Sequence, residues 1–364
     1  MPQIVQYETP SLSMQKQFGY WLEQAGMLVV LFLLVAYCSI MIPGFFSLRN
    51  LDSLLLAVTT VGIISCTMLF CLASGNFDLS VGTIAPCAGV VAAVMMNGTP
   101  DLAAWLNEHI SLGPINRAWT YLLTNQDPVL RISMGVGAAL LTGALVGMTN
   151  GLVVAKMKIN PLITTLATMQ IVKGIGLRVS DGHTVGITRE SFFALGNGAW
   201  PIVHDKSGGL LFQISAPVWI CFACLLVFGF LLSRTTFGRN TLAIGGNEEA
   251  ARLAGINVDR IKIAIFVIQG VIAALAGIIL AARLTMAQQN QQQGLELQVI
   301  SACVLGGVSL TGGIGKMSFV IAGVFIMGVV QNAMNLSNVN SDNQYIVSGC
   351  ILLGAVMLDR LKQR

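Results

Sequence analysis

The chain has 364 residues, of which 55% are hydrophobic and 10% charged, and its net charge is +4. Ordinary soluble domains carry about 25% charged residues, so this composition belongs to a polytopic membrane protein and excludes a soluble fold. The small net charge also argues against nucleic acid as a partner, and the 39 glycines suit close helix packing in lipid.

The start of the chain is polar, holds Pro2 and Pro10, and lacks the basic stretch and apolar core of a cleaved signal peptide; residues 1–25 read as an N-terminal segment. A membrane span needs about 20 mostly apolar residues. Ten such stretches follow, at 26–43, 51–74, 79–97, 132–155, 160–177, 216–233, 261–282, 295–311, 317–334 and 344–358. The expected architecture is an all-α bundle of about ten transmembrane helices forming one domain, 26–358, with polar loops at 98–131 and 178–215 and a short tail, 359–364.

Lys and Arg in short loops set orientation. Lys156 and Lys158, Arg234, Arg239, Arg252, Arg260 and Lys262, Lys316, and Arg360, Lys362 and Arg364 all fall on the N-terminal side of a ten-span chain. That side is expected to be the cytoplasm, with both termini on it and the two long loops outside.

The polar segment 234–260 contains a short helix signal. Asn247 suits the cap position, where its side chain accepts from free backbone N–H groups. Glu248 and Glu249 place negative charge at the positive end of the helix dipole. Ala250 to Ala254 favour helix, Glu248 and Arg252 are spaced for an i,i+4 pair, and Gly255 suits a left-handed stop. Ala250, Leu253 and Ala254 form a small apolar face fitted to a shallow groove. A capped surface helix packed on its own chain is the plainer alternative; the flanking apolar spans leave little chain in water to cover it.

Polar residues near the spans are the other candidates. Gly75–Gly82 breaks the second span from the third, with Asn76, Phe77, Asp78 and Ser80 in the break. Asp78 or Ser80 could cap the next helix, or the break could line a polar path, since irregular backbone at membrane depth survives only where it is buried or wet. Thr165, Thr168 and Gln170 run along the fifth span, where threonine can satisfy itself on the carbonyl four residues back. Glu296 opens the eighth span after a run of glutamines, Gln288 to Gln293, and either faces the bundle interior or is a helix-start acid; Asn332 lies near the end of the ninth.

The eight cysteines lie in apolar stretches and read as small buried hydrophobes, the Cys221-x-x-Cys224 pair included. Gly312–Lys316 fails as a phosphate loop, because Met317 replaces the required Ser or Thr. The three histidines are far apart, and no metal or catalytic spacing emerges. The chain does not read as an enzyme.

Three motifs carry a resemblance. F-G-R-N-T-L-A-I-G-G-N-E-E-A-A-R-L-A-G-I, G-N-F-D-L-S-V-G and V-L-G-G-V-S-L-T-G-G-I-G-K are similar to signatures of the permease subunits of bacterial ATP-binding-cassette sugar importers, in the ribose, xylose and arabinose branch and nearest its arabinose members. Ser74 and Asn76 depart from the commonest second signature, and the stretch 202–213 and the glutamine run depart from the arabinose pattern.

The resemblance covers roughly residues 20–360 and implies a type II importer-like bundle in the inner membrane that imports a monosaccharide, L-arabinose or a related pentose. It implies two copies of the chain, a separate cytoplasmic ATPase that uses ATP-Mg, and a periplasmic sugar-binding protein, with no cofactor or metal on this chain. It assigns coupling to the ATPase to Gly238, Arg239, Gly245, Asn247, Glu248, Glu249, Ala250, Arg252, Leu253 and Gly255. An ion-coupled secondary sugar transporter is the alternative, and a membrane receptor without transport a third; the scarcity of acids within the spans disfavours the ion-coupled reading.

Overall fold

The computed structural model describes residues 14–98, 121, 124–125, 127–204 and 210–362. Most of the N-terminal segment, most of the loop 98–131, residues 205–209 in the stretch 202–213, and Arg364 therefore lie outside the described residues.

Thirteen helices are described. They are α1 (Met14–Met41), α2 (Leu48–Ala73), α3 (Val81–Asn97), α4 (Pro128–Ala155), α5 (Pro161–Val179), α6 (Glu190–Asn197), α7 (Ala216–Arg234), α8 (Thr236–Gly246), α9 (Glu248–Leu253), α10 (Val258–Leu284), α11 (Leu295–Leu305), α12 (Met317–Leu336) and α13 (Ser341–Lys362). Each of the ten expected spans falls on a helix. Among the described residues, α2, α4, α5, α7, α10 and α12 are long and apolar enough to cross a membrane.

The eighth expected span is corrected. Its helix, α11, has 11 residues, or about 16 Å at 1.5 Å per residue, half the roughly 30 Å hydrocarbon core. Gly306 turns the chain out of the helix, and residues 306–316 continue as irregular backbone. α1 begins at Met14, inside the stretch expected to precede the first span.

Two small sheets add to the expected all-helical architecture. β2 (Ala199–His204) and β3 (Leu210–Ser215) pair as an antiparallel hairpin, with Trp200 opposite Ile214. β1 (Val185–Gly186) pairs with β4 (Met286–Ala287), tying the α5–α6 link to the chain after α10.

The core is built on glycine. A Cβ at Gly143 would overlap the Gly270 carbonyl, one at Gly147 the Phe266 carbonyl, and one at Gly277 the Ala85 carbonyl. The backbones of α4, α10 and α3 therefore touch directly, as small residues permit in lipid, where dispersion contacts replace the hydrophobic effect as the force between helices. Burial sorts the spans: 83% of the apolar window of α2 is buried and 61% of that of α10 and α12, against 22% for α4, α5 and α7. The first group forms the centre and the second the perimeter.

Seven cysteines are buried, Cys221 and Cys224 among them on α7, but Cys350 on α13 is exposed. The reading of all eight as buried is corrected at that position, where the chain's last helix turns its side chain out of the bundle.

Candidate functional site

Two neighbouring regions hold the candidate residues: a coupling segment at one end of the bundle, and a buried polar step beneath it.

The candidate coupling segment is a pair of helices, of which the sequence signalled only the second. Thr235 caps α8 by accepting from Gly238 N at 3.3 Å. A Cβ at Gly238 would overlap the carbonyls of Leu231 and Leu232, so glycine lets α8 fold back on the end of α7. Asn247 ends α8 and caps α9, its side chain accepting from Ala250 N at 2.9 Å. Gly255 leaves the helix with φ +83°, the left-handed stop expected there.

α9 is anchored by an apolar contact and by two ion pairs to α10. Ala251 is buried against Ile244 and Val258. Glu248 pairs with Lys262 at 2.6 Å and with Arg252 at 3.3 Å, Arg252 reaches Asp259 at 3.3 Å, and Asp259 reaches Lys156 at 3.5 Å. Partial burial pushes the Glu248 carboxyl up, but the Lys262 ammonium and the Arg252 guanidinium outweigh it and hold the group below its ordinary value. The opposite face is bare: Ala250, Leu253 and Ala254 are exposed, Leu253 by 89%. Arg239 and Glu249 are also exposed. Beside α9 a cavity of about 350 Å³ opens between Asn76, Lys158, Asn160, Glu249, Arg252 and Lys262.

Three glycine-bearing segments meet under α8. Gly313 N donates to the Ala73 carbonyl at 2.9 Å. A Cβ at Gly245 would overlap that same carbonyl and stand 2.5 Å from Gly313 N. One at Gly312 would lie 2.8 Å from Gly245 O and 2.9 Å from Gly75 N. The end of α8, the break after α2 and the loop after α11 thus touch backbone to backbone. These are the three motifs that carried the resemblance, joined at one junction.

The break Ser74–Ser80 leads inward from that junction. Asn76 is buried and donates to Ser74 O at 3.0 Å and Ser74 Oγ at 2.9 Å, closing a local turn; Phe77 is half-buried beside it. Asp78 is fully buried, and its Oδ1 accepts from Ser80 N at 3.0 Å and from Ser80 Oγ at 2.5 Å. Ser80 Oγ in turn accepts from Asn150 Nδ2 at 2.9 Å. Neither side chain caps α3, as one reading of the sequence had it; Ser80 ties the break to α4 through Asn150, and Asp78 holds Ser80. Asp78 Oδ2 and Asn150 Oδ1 have no protein partner.

Glu296 sits in the first turn of α11, partly buried, its carboxylate in the space a Cβ at Gly82 would fill. It joins the same region as Asp78 and Ser80. The other path candidates do not. Thr165 is buried but satisfies itself on Pro161 O at 2.9 Å, and Thr168 does the same on Thr164 O at 3.0 Å. Gln170 is exposed. Asn332 pairs reciprocally with Asn50 through two bonds of 2.9 Å, a clip between the end of α12 and the start of α2.

Asn150, Lys262 and Asp259 were missed as site residues, and Gln289 was noted only as one of the glutamine run. Asn150 carried a readable signal, a lone amide in an apolar run. The other three depend on partners far along the chain.

A family model described as "Branched-chain amino acid transport system / permease component" matches residues 50–356. The L-arabinose transport system permease protein AraH of Escherichia coli K12 is 52% identical over 347 residues, 95% of this chain and 93% of the relative. The L-arabinose ABC transporter permease protein AraH of Azospirillum brasilense is 42% identical over 347 residues, 95% and 90% of the two chains. The ribose import permease protein RbsC of Bacillus subtilis is 36% identical over 344 residues, 94% of each. No solved structure matches. The chain is a multi-pass membrane transport subunit and belongs to the permease family of ATP-binding-cassette importers.

Proposed function

We propose that this permease carries a monosaccharide, L-arabinose or a related pentose, into the cell across the inner membrane. It works with a cytoplasmic ATPase that uses ATP-Mg, a periplasmic sugar-binding protein and a second copy of itself, with membrane lipid around the perimeter helices. This chain binds no cofactor of its own. The 52% identity to an L-arabinose permease supports the choice of sugar. Both termini lie in the cytoplasm on this reading, with α8 and α9, as the Lys and Arg distribution favours.

The observation that carries the reading is α9. A six-residue helix is marginal alone in water, yet this one is capped, salt-bridged and stopped, with its apolar face left bare. A coupling element must make a contact that differs between two states of its partner. α9 offers that contact, and the glycine junction under α8 joins it to the break holding Asp78 and to the loop after α11. ATPase closure acting on Gly238, Arg239, Gly245 and the α9 residues would thereby move both segments together.

The test is uptake of a pentose panel by proteoliposomes holding this chain with its ATPase and binding protein. L-arabinose uptake that requires ATP and survives collapse of ion gradients is expected. Uptake driven by an ion gradient without ATP would restore the ion-coupled alternative.

A further inference from the structure

The chain from β4 to the first turn of α11 touches α3 at three places. Ala287 lies beside Gly89, Gln289 reaches Thr83, and Glu296 reaches Gly82. Two of its polar side chains are seated on glycines of facing helices. A Cβ at Gly176 of α5 would overlap the Gln289 amide, and a Cβ at Gly82 of α3 would overlap the Glu296 carboxylate. Gln289 is only 3% exposed. Its Nε2 donates to Thr83 O at 3.4 Å, a long bond, and its Oε1 has no protein partner.

Buried polar groups without partners are costly, and polar side chains held at membrane depth mark substrate pathways. Here a buried amide oxygen lacking a donor and a carboxylate lie against the neighbouring residues Thr83 and Gly82 of α3. Glycine occurs at the two positions where any larger residue would displace them. A packing role for Gln289 would be met better by an apolar residue; what the site offers is hydrogen bonds to a ligand rich in hydroxyl groups. We propose that Gln289 and Glu296, seated on Gly176 and Gly82, form a sugar-hydroxyl subsite of the translocation path, with Gln289 as a specificity-determining residue. This rests on the sugar-permease reading above.

The test compares wild-type complex with Gln289→Met, which keeps length and removes the polar group, with Gln289→Ala, with Gly176→Ala, and with the Gln289→Ala/Gly176→Ala double variant. Uptake of L-arabinose and of its deoxy analogues is measured in proteoliposomes containing ATPase and binding protein. A site that hydrogen-bonds a hydroxyl rejects the analogue lacking it. Wild type should therefore prefer the full sugar by about tenfold or more over one deoxy analogue, and Gln289→Met should lose that preference while still assembling with the ATPase and binding protein. Gly176→Ala displaces the same amide and should lose it too, with the double variant no worse than Gln289→Ala alone.

Unchanged discrimination in assembled Gln289→Met, or additive losses in the double variant, would overturn the subsite. Should Gln289→Met fail to assemble, assembled Gly176→Ala with wild-type discrimination decides equally against it. Wild type that moves no pentose at all sinks the sugar-permease reading instead, a separate outcome.

Discussion

Lys262 Nζ stands 2.6 Å from Glu248 Oε2, although the two residues are 14 apart in sequence. The pair ties the first residue of α9 to the second turn of α10, so a push on the bare face of α9 reaches the central span. Glu248→Gln should leave insertion intact but loosen α9. The pair is part-exposed and contributes only about 0.5–1 kcal/mol. The measurable effect is on function: stimulation of ATP hydrolysis by sugar-loaded binding protein should fall severalfold, with basal hydrolysis unchanged. Because the folded carboxyl is held below its ordinary value, its contribution is complete above that value, about 4.3, and is lost as pH falls through the lower folded one. Near neutral pH stimulation should therefore not vary with the titration of this carboxyl, and any loss in acid that it causes should be absent from Glu248→Gln.

Gly245→Ala places a methyl on the Ala73 carbonyl. Overpacking of this kind costs about 1–3 kcal/mol, and the junction should part or shift. The adjacent Gly246 has open space where its Cβ would go, so Gly246→Ala is the control. Thermal unfolding of purified complex should show a lower midpoint for Gly245→Ala alone, accompanied by ATP hydrolysis that no longer responds to sugar.

Asp78→Asn and Asp78→Ala should separate. Asn keeps the oxygen that accepts from Ser80 N and Oγ, so assembly and uptake should survive. Ala leaves the buried Ser80 donors unpaired, at about 1–3 kcal/mol for each lost partner, and should lose most uptake. A fully assembled but inactive Asp78→Asn variant would mean that the charge itself is required.

Asn332→Leu should act on stability and not on transport. The change leaves Asn50 Oδ1 buried without its donor, while Asn50 Nδ2 keeps its 2.7 Å bond to the Phe45 carbonyl, a cost of about 1–3 kcal/mol. The Asn50→Leu/Asn332→Leu double variant should be less destabilised than the sum of the singles, with sugar selectivity unchanged in each. A changed selectivity in an assembled single variant would return Asn332 to the path.

What could be read ahead of the structure follows from the range of each interaction. The spans were legible because apolar runs of about 20 residues have one physical explanation, and the cap at Asn247 and the stop at Gly255 because both act within a few residues. α8 was not legible: Gly238, Gly245 and Gly246 lower helix propensity, and those glycines are present for close approach to other segments. The hairpin at Trp200–Ile214 was hidden in a long polar loop. Asp78 was singled out as a polar residue in the break, but Asn150, which bonds its partner Ser80, lies 70 residues beyond Ser80. Gln289 looked like one of a run, and only Gly176 and Thr83 set it apart.

The outward-facing thiol on α13 has a practical consequence. Cys350 is the one exposed cysteine of the eight; the others are packed in the bundle. Because Cys350 lies within the expected span 344–358, a membrane-permeant thiol reagent should label the native chain at this position, and Cys350→Ser should remove that labelling with the seven buried cysteines in place. A cysteine then placed at Glu249 or Leu253, both solvent-facing, would carry a fluorophore on α9 without rebuilding the core, so that its movement could be followed by spectroscopy during turnover.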